Sequence, residues 1–341
     1  MIWLALRQFR TQGLAALALV VAASAYLLVT GLNLRSEYAA DQVLCTAKNT
    51  CDAMMSDFHR AHVPTLDLIH LILFVTPALI GLFWGAPLIA RELETGTYQL
   101  AWNQSVTRAR WLTVKLLVVG SAAILAVGLL SMLATWWGRP LEFDASDRFG
   151  VVAFTTRDLV PFASAAFAIT LGIAIGALMR RSVPAMAVTF AVALFVQLFV
   201  PTVLRPHLLP STTVTYAVNE HIADQVHGIE LRNGGSEIFI VGPFLPKGAW
   251  VVSVPPVTDA SGQNVSVNTH PDCFAAENKP AGPAPISDLP TCLGQYHVNS
   301  SVTFQPASHY WPLQWMQSAI YLALAALVTG WCFWWLQRRR V

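Results

Sequence analysis

Six long and mostly apolar runs constrain this chain more than any other feature of its sequence. The first reads "GLAALALVVAASAYLLVTGL", and the six lie at about 13–33, 67–89, 112–135, 158–179, 183–204 and 314–336. A helix of roughly 20 residues spans the ~30 Å hydrocarbon core of a bilayer, where backbone polar groups must bond within the segment. Apolar residues are continuous in these runs, whereas those of barrel strands alternate with polar ones. The sequence therefore predicts an all-α integral membrane protein with six transmembrane helices.

Charged residues are few and unevenly distributed along the chain. They make up 12% of the 341 residues, against 55% hydrophobic residues, which excludes an ordinary soluble domain. When the segments between runs are assigned to alternate sides, one side carries eleven basic and two acidic residues, and the other carries ten and seventeen. The basic side includes both termini, residues 90–111 and the turn at 180–182. Because cytoplasmic segments are enriched in Lys and Arg, we expect an N-in/C-in topology.

A cleaved signal peptide is an alternative interpretation of the first run. Basic residues precede the run, and the small residues of "AASAY" stand near its end. The run is longer than the usual signal-peptide core of about 7–15 apolar residues, and its removal would place the new N-terminus outside. We therefore expect an uncleaved first transmembrane helix.

The long polar segment at 205–313 is rich in Pro and Gly. It contains strand-like stretches, "SEIFIVG" and "AWVVSV", and the turn-like stretch "TDASGQN". A connection of this length without secondary structure is uncommon, so we expect a small β-containing extracytoplasmic subdomain. Residues 1–204 are predicted to hold an amphipathic N-terminal interfacial helix, "MIWLALRQFRTQ", and transmembrane helices one to five, with a frayed polar start to the first transmembrane helix as the alternative for the N-terminal stretch. Residues 314–341 are predicted to hold the sixth transmembrane helix and a basic cytoplasmic tail.

The cysteines fall in two pairs on the predicted outer side. Cys45 and Cys51 lie in the first outer loop, Cys273 and Cys292 lie in the last one, and Cys332 lies within the sixth run. Because the outer side is oxidising, we expect disulfides between Cys45 and Cys51 and between Cys273 and Cys292. Four unpaired cysteines are the alternative.

Motifs of catalysis and cofactor binding are missing from the sequence. It contains no GxxxxGK[ST] phosphate loop, HExxH or GxSxG pattern, so we expect no enzyme activity and no cofactor bound by this chain. Asp57, His59 and His62 in "DFHRAH" resemble metal ligands, but they come from one loop and lack a second set. We therefore expect no metal site, and no nucleic-acid partner.

Uncharged polar residues lie inside the predicted transmembrane helices. They are Ser131 in the third helix, Ser164 and Thr170 in the fourth, and Gln197 in the fifth. Such groups need partners in lipid, so they either line a substrate path or form hydrogen bonds between helices. Both interpretations remain open at this point.

The stretch "ARELETGTYQLAWNQSVTRARW", residues 90–111, carries the two acidic residues of the basic side, Glu92 and Glu94. Gly96 can end the preceding helix in a left-handed conformation, and Thr97 can cap the next helix. Tyr98, Ala101 and Trp102 would then share one face of that helix, and Thr107 would cap the third transmembrane helix. This pattern predicts a cytoplasmic elbow whose apolar ridge either meets a partner or lies in the membrane interface.

The same residues resemble a known signature. Glu92-x-Glu94-x-Gly96-Thr97, followed by "SVTRARW" and Lys115, is similar to the signature of ABC-2-type permeases, the membrane subunits of ATP-binding-cassette exporters. "FWGAPLIARELETGTYQLAWNQSVTRARWLTVKL" and "QPASHYWPLQW" resemble permeases common in actinomycete bacteria. Ser105 stands where many relatives carry proline, which affects the expected shape of the exit turn.

The resemblance implies a multi-pass permease of the bacterial plasma membrane that exports an apolar or amphipathic compound. Residues 90–107 would be the coupling elbow on a separate ATPase subunit, which binds ATP and Mg²⁺. A second permease half, identical or paralogous, would complete the transporter in the lipid bilayer. The coupling residues implied in this way are Arg91, Glu92, Glu94, Gly96, Thr97, Tyr98 and Trp102. The alternative function is a membrane sensor or immunity accessory protein that binds an extracellular ligand.

Overall fold

A computed structural model of the protein describes residues 2–48, 51–96, 107–141, 147–218, 228–233, 237–241, 245–270, 273 and 289–338. Its helices, numbered in chain order, are α1 Ile2–Lys48, α2 Cys51–Ile80, α3 Ala86–Thr95, α4 Arg108–Gly138, α5 Val151–Thr155, α6 Val160–Met179, α7 Ser182–Phe199, α8 Leu289–Gly294 and α9 Tyr310–Arg338. Widened π-helical turns at Gly81–Gly85 and Val200–Leu204 join α2 to α3 and extend α7. The protein is therefore mostly helical.

Six helical stretches among the described residues are long and apolar enough to cross a membrane, which confirms the predicted number. They are Gly13–Thr46, Ala53–Thr95, Ala109–Leu141, Val160–Met179, Ser182–His207 and Ala307–Trp335. The N-terminal residues that were expected to form an interfacial helix are continuous with α1. The chain is thus a multi-pass membrane protein.

The first two transmembrane helices extend well beyond their apolar runs. Asp57, His59 and His62, expected in a flexible loop, lie instead on α2. The stretch between Gly31 and Pro64 contains neither Gly nor Pro, the residues that most disfavour a helix, so α1 can extend to Lys48 and α2 can begin at Cys51. Tyr38 packs on Phe58 with ring centroids 5.5 Å apart, and His62 lies 3.2 Å from the Glu37 carboxylate. These contacts join the extensions of α1 and α2.

Both predicted disulfides are present. Cys45–Cys51 joins the end of α1 to the start of α2, and Cys273–Cys292 lies in the core of the sheet-containing unit described below. Cys332, in α9, is free and buried. The pairing inferred from the sidedness of the cysteines is confirmed.

Helix α6 packs at the centre of the helical unit, which comprises Met1–Phe143, Arg148–Arg205 and Trp311–Val341. It contacts the π-helical turn and the start of α3. Glycines lie on both sides of this contact, Gly172 in α6 and Gly81 and Gly85 in the turn. A Cβ built on Gly172 would lie 2.5 Å from the Gly81 carbonyl oxygen and 2.9 Å from the Gly85 Cα atom. Small residues allow this backbone contact, which is a common way to pack helices in lipid.

A second compact unit comprises Asp144–Asp147 and Pro206–Tyr310. Its three-stranded antiparallel sheet has the order β1-β5-β4, from Thr212–Ala217, Asn299–Gln305 and Trp250–Ser253, with Thr212 opposite Phe304. An antiparallel pair, β2 Gly228–Arg232 and β3 Glu237–Val241, forms the second sheet. The strand-like stretches "SEIFIVG" and "AWVVSV" therefore contain β3 and β4.

The turn in "TDASGQN" is organised by Asp259. Its carboxylate accepts the hydroxyl and N–H of Ser261 and the N–H of Gln263, and Gly262 has a φ of 84°. These hydrogen bonds, that of the Ser261 hydroxyl first, hold the pKa of the Asp259 carboxyl below its usual range. The side chain thus stabilises the turn that its residue type predicted.

Substitution of Gly172 by Ala is expected to lower stability. The new methyl group would meet backbone atoms of the π-helical turn, which have no side-chain rotamer to move aside, and overpacking of this kind costs about 1–3 kcal/mol. Gly330→Ala is the matched control because nothing lies within 4 Å of a Cβ built there. Thermal unfolding in detergent measures both variants. Equal unfolding temperatures would contradict the close contact.

Candidate functional site

Helix α3 carries the two carboxylates of the predicted elbow. Ala86, Ile89 and Ala90 are buried against the neighbouring helices, whereas the Arg91 and Glu94 side chains are exposed. Gly96 follows with a φ of 72° and ends the helix in the left-handed conformation that its position predicts. The helix that precedes the elbow therefore has one packed face and one open face.

Glu92 forms a buried ion pair with Lys115. Its Oε1 atom lies 2.6 Å from the Lys115 Nζ atom, and the two side chains are 15% and 5% exposed. The same Nζ atom donates to the Leu88 carbonyl at 3.2 Å and lies 4.5 Å from the centre of the Trp111 ring. A buried ammonium requires such partners because it has lost its water. Glu92 therefore joins α3 to α4 instead of presenting an open acidic edge.

Glu94 joins α3 to α7. Its Oε2 atom accepts the N–H of Ser182 at 3.0 Å and the Ser182 hydroxyl at 2.7 Å. Ser182 is the first residue of α7, and Arg181 before it supplies no capping side chain. The carboxylate thus binds an N–H group that the helix cannot bond itself, at the end where the helix dipole favours negative charge.

These two contacts were not predicted from the sequence. Lys115 was noted as part of the signature, but its pairing with Glu92 was not, and Ser182 was not singled out. The sequence did indicate that Lys115 has a partner, because it is a charged residue at the start of an apolar run and such a residue needs one in lipid. No comparable signal identifies Ser182 as the group that Glu94 caps.

The remainder of the predicted elbow is partly described. Thr107 caps α4, with its hydroxyl accepting the Arg110 N–H at 3.3 Å, as predicted. Thr97, Tyr98 and Trp102 lie outside the described residues, so the aromatic ridge stays a prediction.

The four polar residues proposed for a substrate path are hydrogen-bonded to backbone carbonyls. Ser131 donates to Thr156 at 2.7 Å, and Gln197 donates to Phe74, so both join separate helical segments. Ser164 and Thr170 donate to carbonyls of their own helix, α6. Hydrogen bonding between helical segments accounts for Ser131 and Gln197, whereas Ser164 and Thr170 bond only within α6, and a place in a substrate path stays a prediction for all four.

Asp57 and His62, the residues with a metal-like spacing, have protein partners. Asp57 lies 3.1 Å from the Arg60 guanidinium, and His62 faces Glu37. Among the described residues, no group of three His, Cys, Asp or Glu side chains is placed to hold a metal ion.

The Glu92→Gln variant is expected to be strongly destabilised. It leaves the Lys115 charge buried without its carboxylate, and breaking a buried pair in this way costs about 3–5 kcal/mol. Adding Lys115→Met should restore much of the loss because no unpaired charge remains. Glu230→Gln is the control, since its pair with Arg232 is exposed and such pairs contribute about 0–1 kcal/mol. Similar losses of thermal stability in Glu92→Gln and Glu230→Gln would contradict the buried pair.

Comparison with known proteins assigns the chain to a family. The family model described as ABC-2 membrane transporter related matches residues 17–205, more than half of the chain. This range contains α3, the elbow and the start of α4. No significant match is found among curated proteins or among solved structures. ABC-2 permeases carry no nucleotide-binding site of their own, and the family implies a partner ATPase. The chain belongs to the ABC-2 membrane transporter related family.

Proposed function

We propose that this chain is the permease half of an ABC exporter and that residues 90–107 transmit movement of a partner ATPase to the transmembrane helices. One observation carries the proposal. The helix that leads into this segment is joined through its two carboxylates to two other transmembrane helices, to α4 at its eighth residue, Lys115, and to α7 at its first residue, Ser182.

These contacts suit the transmission of a movement. The Glu92–Lys115 pair is buried, so separating it costs several kcal/mol, about 3–5 when one partner is lost. A displacement of α3 would therefore shift the start of α4 more readily than break the pair. Glu94 would shift the start of α7 in the same direction through Ser182. Glu92 and Glu94 then act as positioning residues inside the permease. The residues that contact the ATPase are the exposed Arg91 and residues 97–106.

The proposal includes the topology, the partners and the class of cargo. Both termini and residues 90–111 lie in the cytoplasm, as the distribution of basic residues indicates. ATP and Mg²⁺ bind to the ATPase, and a second permease half, identical or paralogous, completes the transporter in the bacterial plasma membrane. The scarcity of ionisable residues within the apolar runs favours an apolar or amphipathic cargo. The alternative of a membrane sensor receives no support from the family match.

The topology is tested by cysteine labelling in a Cys332→Ala background. A membrane-impermeant maleimide should label Arg181→Cys only when it reaches the cytoplasmic side, because the exposed Arg181 lies in the turn between α6 and α7. The control, Gln263→Cys in the second unit, should label from outside intact cells. Labelling of Arg181→Cys from outside would refute the N-in/C-in arrangement.

The elbow is tested by affinity purification from native membranes, with peptides of a cassette ATPase quantified by mass spectrometry. Arg91→Glu combined with Trp102→Ala should reduce the ATPase recovered about tenfold or more, since losing ~1.4 kcal/mol of binding energy has that effect. Arg338→Glu, a charge reversal at an exposed arginine of α9, is the matched control and should leave recovery unchanged. Undiminished ATPase recovery with the double variant would contradict docking at residues 90–107.

A further inference from the structure

One face of α9 is polar and lies inside the helical unit. Gln314, Gln317, Ser318 and Tyr321 follow the spacing i, i+3, i+4, i+7, so they form a single stripe along the helix. Ser318 is 5% exposed and the other three are fully buried. The exposed Trp311 and Trp315 lie on other parts of the helix surface. The stripe also lies outside residues 17–205, the part matched by the family.

The first residue of this stripe differs from the other three in its hydrogen bonds. The Gln314 amide is bonded at both atoms, because it accepts the Val160 N–H at 3.4 Å and donates to the Phe154 carbonyl at 3.1 Å. In contrast, both polar atoms of the Gln317 amide, the Ser318 hydroxyl and the Tyr321 hydroxyl are buried without a hydrogen-bond partner. The Gln317 amide lies beside the Tyr321 hydroxyl and acts on it, although the two groups are not aligned as a hydrogen bond.

Leaving four such atoms unbonded is costly, since each buried unsatisfied polar group destabilises a fold. A serine in a transmembrane helix ordinarily bonds a carbonyl of the preceding turn, as Ser121 does with Leu117. The Ser318 hydroxyl does not do so. The stripe therefore offers hydrogen-bonding groups for a polar group that is not part of this chain.

The surroundings of the stripe define the chemistry of that group. The Phe167 ring lies 6.1 Å from the Tyr321 ring, and the buried Arg205 is close enough for its charge to act on the Tyr321 hydroxyl. An amide and two hydroxyls each donate and accept, which matches an uncharged group that also does both. The positive charge of the nearby Arg205 guanidinium disfavours a cationic head group.

From these observations we infer that Gln317, Ser318 and Tyr321 form a cargo site for a neutral amphipathic molecule with a hydroxyl-bearing head group. The inference rests on the proposed permease function. Because Gln317 and Tyr321 are fully buried, the molecule reaches them when α9 separates from its neighbours, as alternating access to the two sides of a membrane requires. The head group bonds the stripe while the apolar chain lies among the transmembrane helices.

The test uses the full chain in lipid nanodiscs with a photoactivatable alkyl glucoside as the probe. In the wild type the probe should label peptides from α9, and an alkyl trimethylammonium probe with the same chain and photoactivatable group should label them much less. The combined variant Gln317→Met, Ser318→Ala and Tyr321→Phe should reduce glucoside labelling about tenfold or more, because several hydrogen bonds to the head group are lost. Equal labelling of the variant and the wild type would overturn the site, and so would equal labelling by the two probes.

Thermal unfolding without probe separates this site from a purely structural role. The triple variant should unfold at the same temperature as the wild type or higher, because it removes polar atoms that have no partner. A clear loss of stability would show that these atoms are already bonded in the free protein, and it would overturn the inference. Gln314→Met, which removes an amide bonded at both atoms, should lower stability. Ser121→Ala, at an exposed helix position, should change neither stability nor labelling.

The labelling experiment needs no ATPase, so its outcome is separate from that of the docking experiment. Loss of labelling in the triple variant with normal ATPase recovery supports both the cargo site and the exporter. If no ATPase is recovered even with the wild type, the exporter proposal fails while the binding site is still decided by labelling.

Discussion

Lipid offers no hydrogen bonds, and this constraint explains the polar contacts that join helices within the helical unit. Ser131 and Gln197 bond backbone carbonyls of other segments, and Lys115 meets both a carboxylate and a carbonyl. Where helices lack polar side chains, glycines let their backbones approach closely, as Gly172 does against the π-helical turn. Polar groups are therefore used to connect helices, and small residues are used to pack them.

The same constraint gives the end of α3 its particular form. Glu92 and Glu94 are two residues apart and so point to nearly opposite sides of α3, and each meets a different helix. A helix that continues from the second transmembrane segment is in this way joined to α4 and to the start of α7, next to the predicted elbow. In our proposal the residues that resemble a partner-binding signature thus act first within the permease, and they give a bound ATPase a route to several helices at once.

Helix α9 departs from this pattern, and the departure is informative. Its buried polar atoms at Gln317, Ser318 and Tyr321 lack hydrogen-bond partners, unlike Ser131, Gln197 and Lys115. The coupling segment lies within the part of the chain that the family shares, whereas this stripe lies beyond it. In our proposal the two roles are separated along the chain, with coupling next to α3 and cargo recognition on α9.

Local features were predictable from the sequence because they depend on neighbouring residues alone. Apolar run length gave the six transmembrane helices, Gly96 and Thr107 marked helix ends, and "SEIFIVG" contained a strand. The disulfides followed from which cysteines share a segment between apolar runs. The spacing of Gln314, Gln317, Ser318 and Tyr321 is also present in the sequence. It does not indicate whether that face of the helix is buried or whether its side chains have hydrogen-bond partners.

Only the tertiary structure decided which groups meet. Glu94 and Ser182 are 88 residues apart, and no local pattern predicts that one caps the helix of the other. The pairing of Glu92 with Lys115, and the extension of α1 and α2 beyond the apolar runs, likewise depend on how helices distant in sequence pack together. A sequence specifies the partners that each polar group needs, but helix packing determines which partner comes within hydrogen-bonding distance.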